Sequence, residues 1–272
     1  MTKAIQRPVL RYHGGKFLQA KRIISHFPEH RIYTEAFGGG GSVLMQKARS
    51  YAEVYNDMWD TVVNVFRVLR DPVSAAELER VLRLTPFART EFVECGEMDI
   101  IATDDPIEKA RKTILRSFAG FGSASTNAKY STGFRANSHR SGTTPAGDWS
   151  HYPDHIASFV DRLRGVVIEN RDYRDILAQH DSPDTLHFLD PPYVHATRNM
   201  QRGNAAYAHE FTDQDHIDMG GGYPRFERDC NCMWVRIRPV YGYFERVECR
   251  QAQGVRRWRR RADRMPLDQP FA

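Results

Sequence analysis

The sequence has no long hydrophobic run, and no segment approaches the roughly 18 apolar residues that cross a membrane. Its first residues, MTKAIQRP, also lack the apolar core of a secretory signal. Both absences argue against an exported or membrane-embedded protein. We therefore expect a soluble, cytoplasmic protein with no membrane partner.

Cysteine is scarce, with four in 272 residues. Three of them, Cys230, Cys232 and Cys249, lie near the carboxyl end, and Cys95 stands alone. A structural zinc site needs two paired sets of ligands, which a single Cys-x-Cys does not supply. The segment 209–216 offers His, Glu and Asp, but Thr212 or Asp213 is better read as the cap of a helix. We predict neither a disulfide framework nor a metal site.

The excess of basic over acidic residues lies at the carboxyl end. The formal net charge is +5, and residues 220–272 contain 12 Arg against 6 Asp or Glu. The rest of the chain is therefore close to neutral, so the net charge alone does not predict a nucleic-acid partner. The length suffices for one core, or for one core with an inserted subdomain.

The segment from residue 32 to residue 70 has the pattern of a β-α-β unit. Residues 32–35 are β-prone, glycines follow at 38–41, and residues 42–48 predict a helix capped by Ser42. Residues 51–55 predict a second strand, and a helix follows Asp57. This order predicts an α/β fold with a parallel sheet.

The pattern changes between residues 72 and 164. A helical stretch at 108–118 precedes a segment, 120–149, that is rich in Gly, Ser, Thr and Asn and is too long for a simple connection. Strand patterns resume at 165–169 and 185–189, with a short helix over 173–179 between them. We therefore predict an α/β fold interrupted by an inserted region.

Asp190-Pro191-Pro192-Tyr193 follows the apolar strand 185–189 directly. Proline carries no N–H, so this turn offers carboxylate and carbonyl acceptors but no backbone donor from its two prolines. Such a turn, with an aromatic ring beside it, favours the binding of an amino group.

Three further motifs favour a ligand, and each has a structural alternative. The glycines at 38–41 allow close approach to a helix N-terminus, but they could form a mobile surface turn. Asn56-Asp57 follows the second strand, where an acidic side chain can bind ribose hydroxyls or cap the next helix. Tyr12 and Lys16 combine a ring with a cation, or belong to an ordinary turn before a helix over 18–27.

The inserted region interleaves basic and aromatic residues in a segment with few acids. This pattern suits phosphate contacts and stacking on bases, although charged helix faces are often only solvated. The residues that we predict to contact nucleic acid are Lys112, Arg116, Lys129, Arg135 and Arg140.

Together, the segment from Tyr12 to Lys16, Phe37-Gly38, Asn56-Asp57 and Asp190-Pro191-Pro192-Tyr193 occur in the order seen in DNA adenine-N6 methyltransferases of the Dam-like, D12 class. The chain resembles this family over about residues 7–219. Asp at position 190 resembles the adenine-N6 type, whereas N4-cytosine enzymes more often carry Ser. Tyr12 departs from the commoner Trp.

The resemblance implies a Rossmann-like sheet that binds S-adenosylmethionine, formed by residues 1–71 and 165–219, with a mostly helical target-recognition region at 72–164. It implies catalytic roles for Asp190, Pro191, Pro192 and Tyr193. The cofactor-binding residues that it implies are Tyr12, Lys16, Phe37, Gly38, Gly40, Asp57, Asp172 and Asp190.

The activity that the resemblance implies is transfer of a methyl group to adenine N6 in double-stranded DNA, with Asp190 and the Pro191 carbonyl gripping the amine and Tyr193 stacking on the extruded base. A restriction endonuclease acting on the same site is an expected partner. The alternatives are a methyltransferase for RNA or another amine, and an inactive relic that only binds nucleic acid.

The segment after Met219 shows neither a helix nor a strand period. The family ends in a Thr-Glu-x-Leu-Trp-type segment, and shifting the reading by one nucleotide permits Thr-Glu-Cys-Leu-Trp-Ile-Asn-Pro over 263–271. We therefore predict that residues 220–272 are an Arg-rich, frameshifted tail. Loss of the C-terminal strands would leave the strand before Asp190 with an exposed edge. The alternative is a divergent basic tail that binds DNA.

Overall fold

The computed structural model of the protein describes residues 4–12, 14–120, 133–137, 139, 142–192 and 215, together with the backbone of three strands between 231 and 262. Within these residues, no helix is both long and apolar enough to cross a membrane. The elements up to the third strand are α1 (Ala20–Ile24), β1 (Ile32–Glu35), α2 (Ser42–Gln46), β2 (Ala52–Asn56), α3 (Asp60–Arg70), α4 (Pro72–Leu84), α5 (Arg89–Val93), α6 (Glu97–Ile101), α7 (Pro106–Ala119), α8 (Pro145–Ser150) and α9 (Ile156–Leu163). They are followed by β3 (Val166–Glu169), α10 (Tyr173–His180), β4 (Thr185–Leu189), β5 (Asn231–Trp234), β6 (Glu245–Ala252) and β7 (Val255–Ala262).

The central sheet has the strand order β3-β2-β1-β4-β5, and all four pairings are parallel. Its inner strands are buried along nearly their whole length, as parallel strands covered on both faces require. Strands β6 and β7 pair with each other in an antiparallel ribbon. The predicted parallel α/β sheet is confirmed.

The chain order creates a switch point between β1 and β4. The chain leaves β1 to form β2 on one side, whereas β4, which comes later in the sequence, pairs with β1 on the other side. Connections that leave in opposite directions open a crevice at the carboxyl ends of such strands, where open α/β proteins bind ligands. Glu35 ends β1 and Asp190 follows β4, so both carboxyl groups belong to this edge.

The described part of residues 72–164 is mainly helical, and three of its helices begin with a recurring pair of residues. Asp71, Asp105 and Thr144 each precede a proline and accept a hydrogen bond from a backbone N–H of the helix that follows. An oxygen-bearing cap followed by proline in the first turn is a strong helix start.

These helices pack onto the core of the sheet. Helix α3 contacts α4, α7 and α9. One cluster of buried apolar side chains joins Tyr33 and Phe66 of the β-α-β unit with Leu78, Phe118 and Phe159 from the later helices. Residues 72–164 therefore share a core with the sheet.

Two predictions about local structure are wrong. Ser42 does not cap α2 but is its first residue, because Gly41 before it adopts a left-handed conformation with φ of 61°. The edge of β4 is not exposed, because β5 from the carboxyl-terminal tail pairs with it, with His187 opposite Cys232. The tail therefore contains strands, although its sequence shows no clear period.

Candidate active site

A cleft of about 280 Å³ lies at the carboxyl ends of β1, β2 and β4. The eight residues predicted from the sequence to bind a cofactor all line it: Tyr12, Lys16, Phe37, Gly38, Gly40, Asp57, Asp172 and Asp190. Pro192 lines it too, and Pro191 is half-buried beside it. Motifs spread over most of the chain therefore meet in one place.

Lys16 and Asp190 form an ion pair inside the cleft. The Nζ of Lys16 donates to Asp190 Oδ2 at 2.5 Å and to the carbonyl of Gly14 at 2.6 Å. The Lys16 residue is only 4% exposed. A buried cation in this position fixes the carboxylate rotamer and directs the other oxygen elsewhere.

That other oxygen, Asp190 Oδ1, is buried and has no hydrogen-bond partner among the described residues. Burial raises the pKa of Asp190, and the Lys16 cation partly offsets this effect. A buried acceptor without a partner is costly, so its presence in a cleft points to a ligand that donates to it. The cleft is thus suited to a ligand with an N–H or O–H at this point.

Aromatic rings of the protein pack closely against the glycine loop at residues 38–41. A Cβ on Gly38 would lie 2.3 Å from the ring of Tyr55, and one on Gly39 would lie 2.8 Å from the ring of Tyr12. Tyr55 also donates from its hydroxyl to the Gly39 carbonyl at 2.7 Å. Glycine at position 38 therefore lets the loop lie flat against Tyr55 at the floor of the cleft.

Asp57 holds the glycine loop and the start of the next helix at once. Its Oδ2 accepts from the Gly39 N–H at 2.7 Å, and its Oδ1 accepts from the Trp59 N–H at 2.8 Å. Each carboxylate oxygen can accept a second hydrogen bond. Asp57 can therefore hold the start of the next helix and still accept a hydrogen bond from a ligand, so the two roles left open by the sequence do not exclude each other.

Asn56 joins the loops that follow three strands. Its amide donates to the carbonyls of Ala36 and Arg171, at 2.9 and 3.0 Å, and its Oδ1 accepts from the Arg171 N–H at 2.9 Å. These bonds tie the ends of β1, β2 and β3 together. Asn56 thus orders the edge of the sheet on which the cleft is built.

Aromatic rings form two opposite parts of the cleft lining. Tyr12 packs against Trp59 with ring centroids 6.3 Å apart, and Phe37 packs against Tyr173 at 4.9 Å. The sequence analysis did not identify Trp59 or Tyr173. Their only signal in the sequence is that each follows shortly after a predicted ligand residue, Asp57 or Asp172.

Glu35 is a second buried carboxyl group in the cleft lining that the sequence analysis left without a role. Burial raises its pKa to about 8, and this effect outweighs the hydrogen bonds that its Oε2 accepts from the Tyr33 hydroxyl and the Leu44 N–H, both at 2.9 Å. The nearby Asp190 raises this pKa further. Glu35 is therefore largely protonated near neutral pH.

The residues predicted to contact nucleic acid have different surroundings in the structure. Lys112 donates to the Thr103 hydroxyl at 3.1 Å, and the Arg116 guanidinium lies 4.2 Å from the centroid of the Phe92 ring. Arg135 is buried and donates to the Phe118 carbonyl at 3.0 Å, so its guanidinium is bonded within the fold, and its contact with nucleic acid stays a prediction. The positions of Lys129, Arg140 and Tyr193 lie outside the described residues.

A cleft at the switch point of a parallel sheet, with an unsatisfied acceptor and aromatic side chains in its lining, is the usual ligand site of an α/β enzyme. A model of the D12 class N6 adenine-specific DNA methyltransferase family matches residues 12–240. The chain therefore belongs to this family and is an enzyme that methylates the N6 amino group of adenine in DNA. Methyltransferases of this kind typically use S-adenosylmethionine. Comparison with curated proteins gave no match.

Proposed function

We propose that the cleft binds S-adenosylmethionine together with the target adenine, and that Asp190 and the Pro191 carbonyl accept the two hydrogens of the adenine N6 amine. The observation that carries this proposal is the buried and unpartnered Oδ1 of Asp190, which lies beside an oxygen already held by Lys16. An exocyclic amine supplies the donor that this oxygen lacks.

The donor set of the cleft suits a nucleoside-bearing cofactor. Tyr12, Trp59, Phe37 and Tyr173 offer apolar faces, and the loop at 38–41 leads into the N-terminus of α2. We propose that Asp57 accepts from the ribose hydroxyls and that Asp172 lies near the adenine of the cofactor. When bound, S-adenosylmethionine supplies a methyl group on a positively charged sulfur.

The protein makes the amine more nucleophilic by accepting hydrogen bonds from its two N–H groups. The N6 lone pair is delocalised into the adenine ring and is a poor nucleophile. Hydrogen bonds from N6 to Asp190 Oδ1 and to the Pro191 carbonyl become stronger as positive charge develops on the nitrogen, so they stabilise the transition state more than the ground state. The Lys16 cation opposes the rise in the pKa of Asp190 that burial causes, and so favours the ionised form that accepts hydrogen bonds.

We propose that the sheet is Rossmann-like and that residues 72–164 form the target-recognition region that contacts double-stranded DNA. A base inside a duplex cannot reach a cleft at a sheet edge, so the adenine must be flipped out of the stack. Tyr193, which follows the two prolines, is proposed to stack on the flipped base. Lys112 and Arg116, on the helical side of this region, are proposed to contact phosphates.

We further propose that the chain after Met219 is encoded in a shifted reading frame. This proposal rests on the family-like ending that the shifted codons permit over residues 263–271. The family match runs to residue 240, and β5 pairs with β4, so a strand is present at this edge in the chain as written. The nucleotide sequence of the gene tests the proposal directly, because stop codons or unrelated residues in the shifted frame would refute it.

A labelled-methyl transfer assay tests the substrate. The expected result is label on N6 of adenine in duplex DNA, and none when the same duplex carries purine, which lacks the amine, in place of adenine. Label in a matched RNA duplex, but not in DNA, would favour the RNA alternative. Binding of DNA without any transfer would favour an inactive relic.

A restriction endonuclease acting on the same site is proposed as a partner of this enzyme. Its existence predicts that DNA methylated by the protein is protected from digestion at the methylated sequence. A set of restriction digests on methylated plasmid would identify that sequence, and cutting at every site tested would leave the proposed pairing unsupported.

A further inference from the structure

Arg89 is an exposed basic residue of the 72–164 region whose described side-chain contact is with an aromatic ring and not with a carboxylate. It is the first residue of α5, its side chain is exposed, and its guanidinium carbon lies 5.1 Å from the centroid of the Phe134 ring. Within the described part of the chain, Arg89 forms no ion pair. A guanidinium that lies over a ring, with no carboxylate partner, can use its N–H groups to bind phosphate oxygens bidentately.

The acidic residue of α5 near Arg89 in the sequence pairs with a different arginine. Glu91, two residues further along α5, is taken by Arg111 at 2.9 Å, and Arg111 also pairs with Glu108. Arg111 is therefore committed to the protein. Unlike Arg111, Arg89 forms no ion pair with a described residue, and its guanidinium lies over the Phe134 ring.

The ring under Arg89 is itself fixed in place. Phe134 packs against Phe87 with centroids 5.0 Å apart and against Phe92 at 5.8 Å, and its backbone forms an antiparallel bridge with Gly120. A guanidinium on such a rigid platform loses less conformational entropy when it binds a ligand than a flexible surface lysine does.

The platform is connected to the cleft by a row of aromatic contacts. Phe87 packs against Trp149, which stacks on Tyr152 at 5.9 Å, and the Tyr152 hydroxyl donates to the Val9 carbonyl at 2.8 Å. Tyr12, three residues after Val9, lines the cleft. The platform is therefore linked by packing contacts to Val9, in the segment that leads to the cleft residue Tyr12.

We propose that Arg89, stacked on Phe134, is a phosphate-binding residue for the DNA substrate. This inference deepens the proposed role of residues 72–164 in target recognition. It adds to that region a contact on α5 that depends on a fixed guanidinium, with the negatively charged backbone of duplex DNA as its ligand. Such a contact positions the duplex and carries no base specificity.

The test compares Arg89→Ala and Arg89→Lys with the unmodified chain in DNA-binding titrations over a range of salt concentrations. Affinity falls as salt rises, and loss of one phosphate contact makes the negative slope of log affinity against log salt shallower by about 0.9. The affinity deficit of Arg89→Ala therefore shrinks about eightfold for each tenfold rise in salt. Arg89→Lys is expected to keep the slope while losing part of the affinity. Arg80→Ala, which removes an exposed arginine paired with Glu77 on α4, is the matched control and is expected to change neither quantity.

A slope for Arg89→Ala equal to that of the unmodified chain would overturn the proposal. Single-turnover methyl transfer at saturating DNA separates this inference from the proposed chemistry, because Arg89→Ala is expected to keep its rate there. Normal cofactor binding and an unchanged melting temperature show that the variant is folded. A reduced slope that also appears in Arg80→Ala would mean a general charge effect and would equally contradict a specific contact.

Discussion

Lys16 and Asp190, 174 positions apart in the sequence, form a buried ion pair at 2.5 Å in the cleft. The pairing of β4 with β1 places Asp190 at the same sheet edge as the loop that carries Lys16. One oxygen of Asp190 is thereby committed to the protein, and the other is buried without a hydrogen-bond partner among the described residues. The proposed chemistry depends on this division.

Replacement of Lys16 by Met is expected to move the acid limb of the pH–rate profile to higher pH. Burial raises the pKa of Asp190 and Lys16 opposes that effect, so removing the cation raises the pKa further. Because the ionised carboxylate is the proposed acceptor, activity then requires a higher pH. Single-turnover rates between pH 5 and 9 measure the shift, with the exposed Lys21→Met as control. An unchanged acid limb would show that Lys16 does not control the ionisation of Asp190.

Glu35 is expected to make the protein less stable as pH rises. Its folded pKa of about 8 lies above that of an unfolded glutamate. The folded state therefore binds more protons between about pH 4.5 and 8, and the stabilising contribution is lost as pH rises through this window, at up to about 1.4 kcal/mol per pH unit. Glu35→Gln should flatten the pH dependence of the free energy of unfolding. An equally steep decline in that variant would assign the effect to another group.

Gly38→Ala is expected to lower the free energy of unfolding by about 1–3 kcal/mol, as overpacking does. The added Cβ would lie 2.3 Å from Tyr55, whose ring is also stacked on Phe66 at 4.1 Å. Chemical denaturation measures the loss. Gly133→Ala is the control, because a Cβ there meets nothing within 4 Å. Tyr55→Leu in the Gly38→Ala background should recover part of the loss, and failure to do so would place the strain elsewhere.

Glu53→Gln tests the buried ion pairs at the opposite end of the sheet. Glu53 accepts from Arg162 at 2.6 Å and from Lys47 at 2.6 Å, and breaking such a set costs about 3–5 kcal/mol. Burial acts to raise the pKa of Glu53, but the bonds from Arg162 and Lys47 outweigh it and the pKa is lowered. This stability is present above the pKa of unfolded glutamate and is lost as pH falls through the folded pKa. Urea unfolding at pH 7 and pH 4 measures it, with the surface variant Glu77→Gln expected to show no change.

Much of the fold was predictable because strands and caps leave local signals. The predicted strands at 32–35, 165–169 and 185–189 match β1, β3 and β4 to within one residue, and 51–55 matches β2 with a shift of one. The helix predicted over 18–27 is shorter in the structure, where it covers only α1 (Ala20–Ile24). Helices α4 and α8 were not predicted, although Asp71-Pro72 and Thr144-Pro145 are start signals that can be read from the sequence.

The sequence indicated which residues would lie together in a cleft, but not the geometry of their contacts. Each motif could be read locally, and the sheet then brought all eight predicted cofactor residues to one cleft. The ion pair between Lys16 and Asp190 and the aromatic contribution of Trp59 depend on strand order and packing, which no local pattern encodes. The burial of Arg135 has the same origin, because it depends on the distant carbonyl of Phe118.

Asp190→Asn and Asp190→Ala, assayed in a single turnover with labelled methyl groups on adenine-containing duplex DNA, test the proposed chemistry most directly. Both variants should lose at least about 100-fold in rate, as removal of one acceptor that stabilises a transition state does. S-Adenosylmethionine binding should be weakened but detectable, and DNA binding should remain. Methyl transfer by either variant at a rate near that of the unmodified chain would contradict the proposal that Asp190 holds the amine.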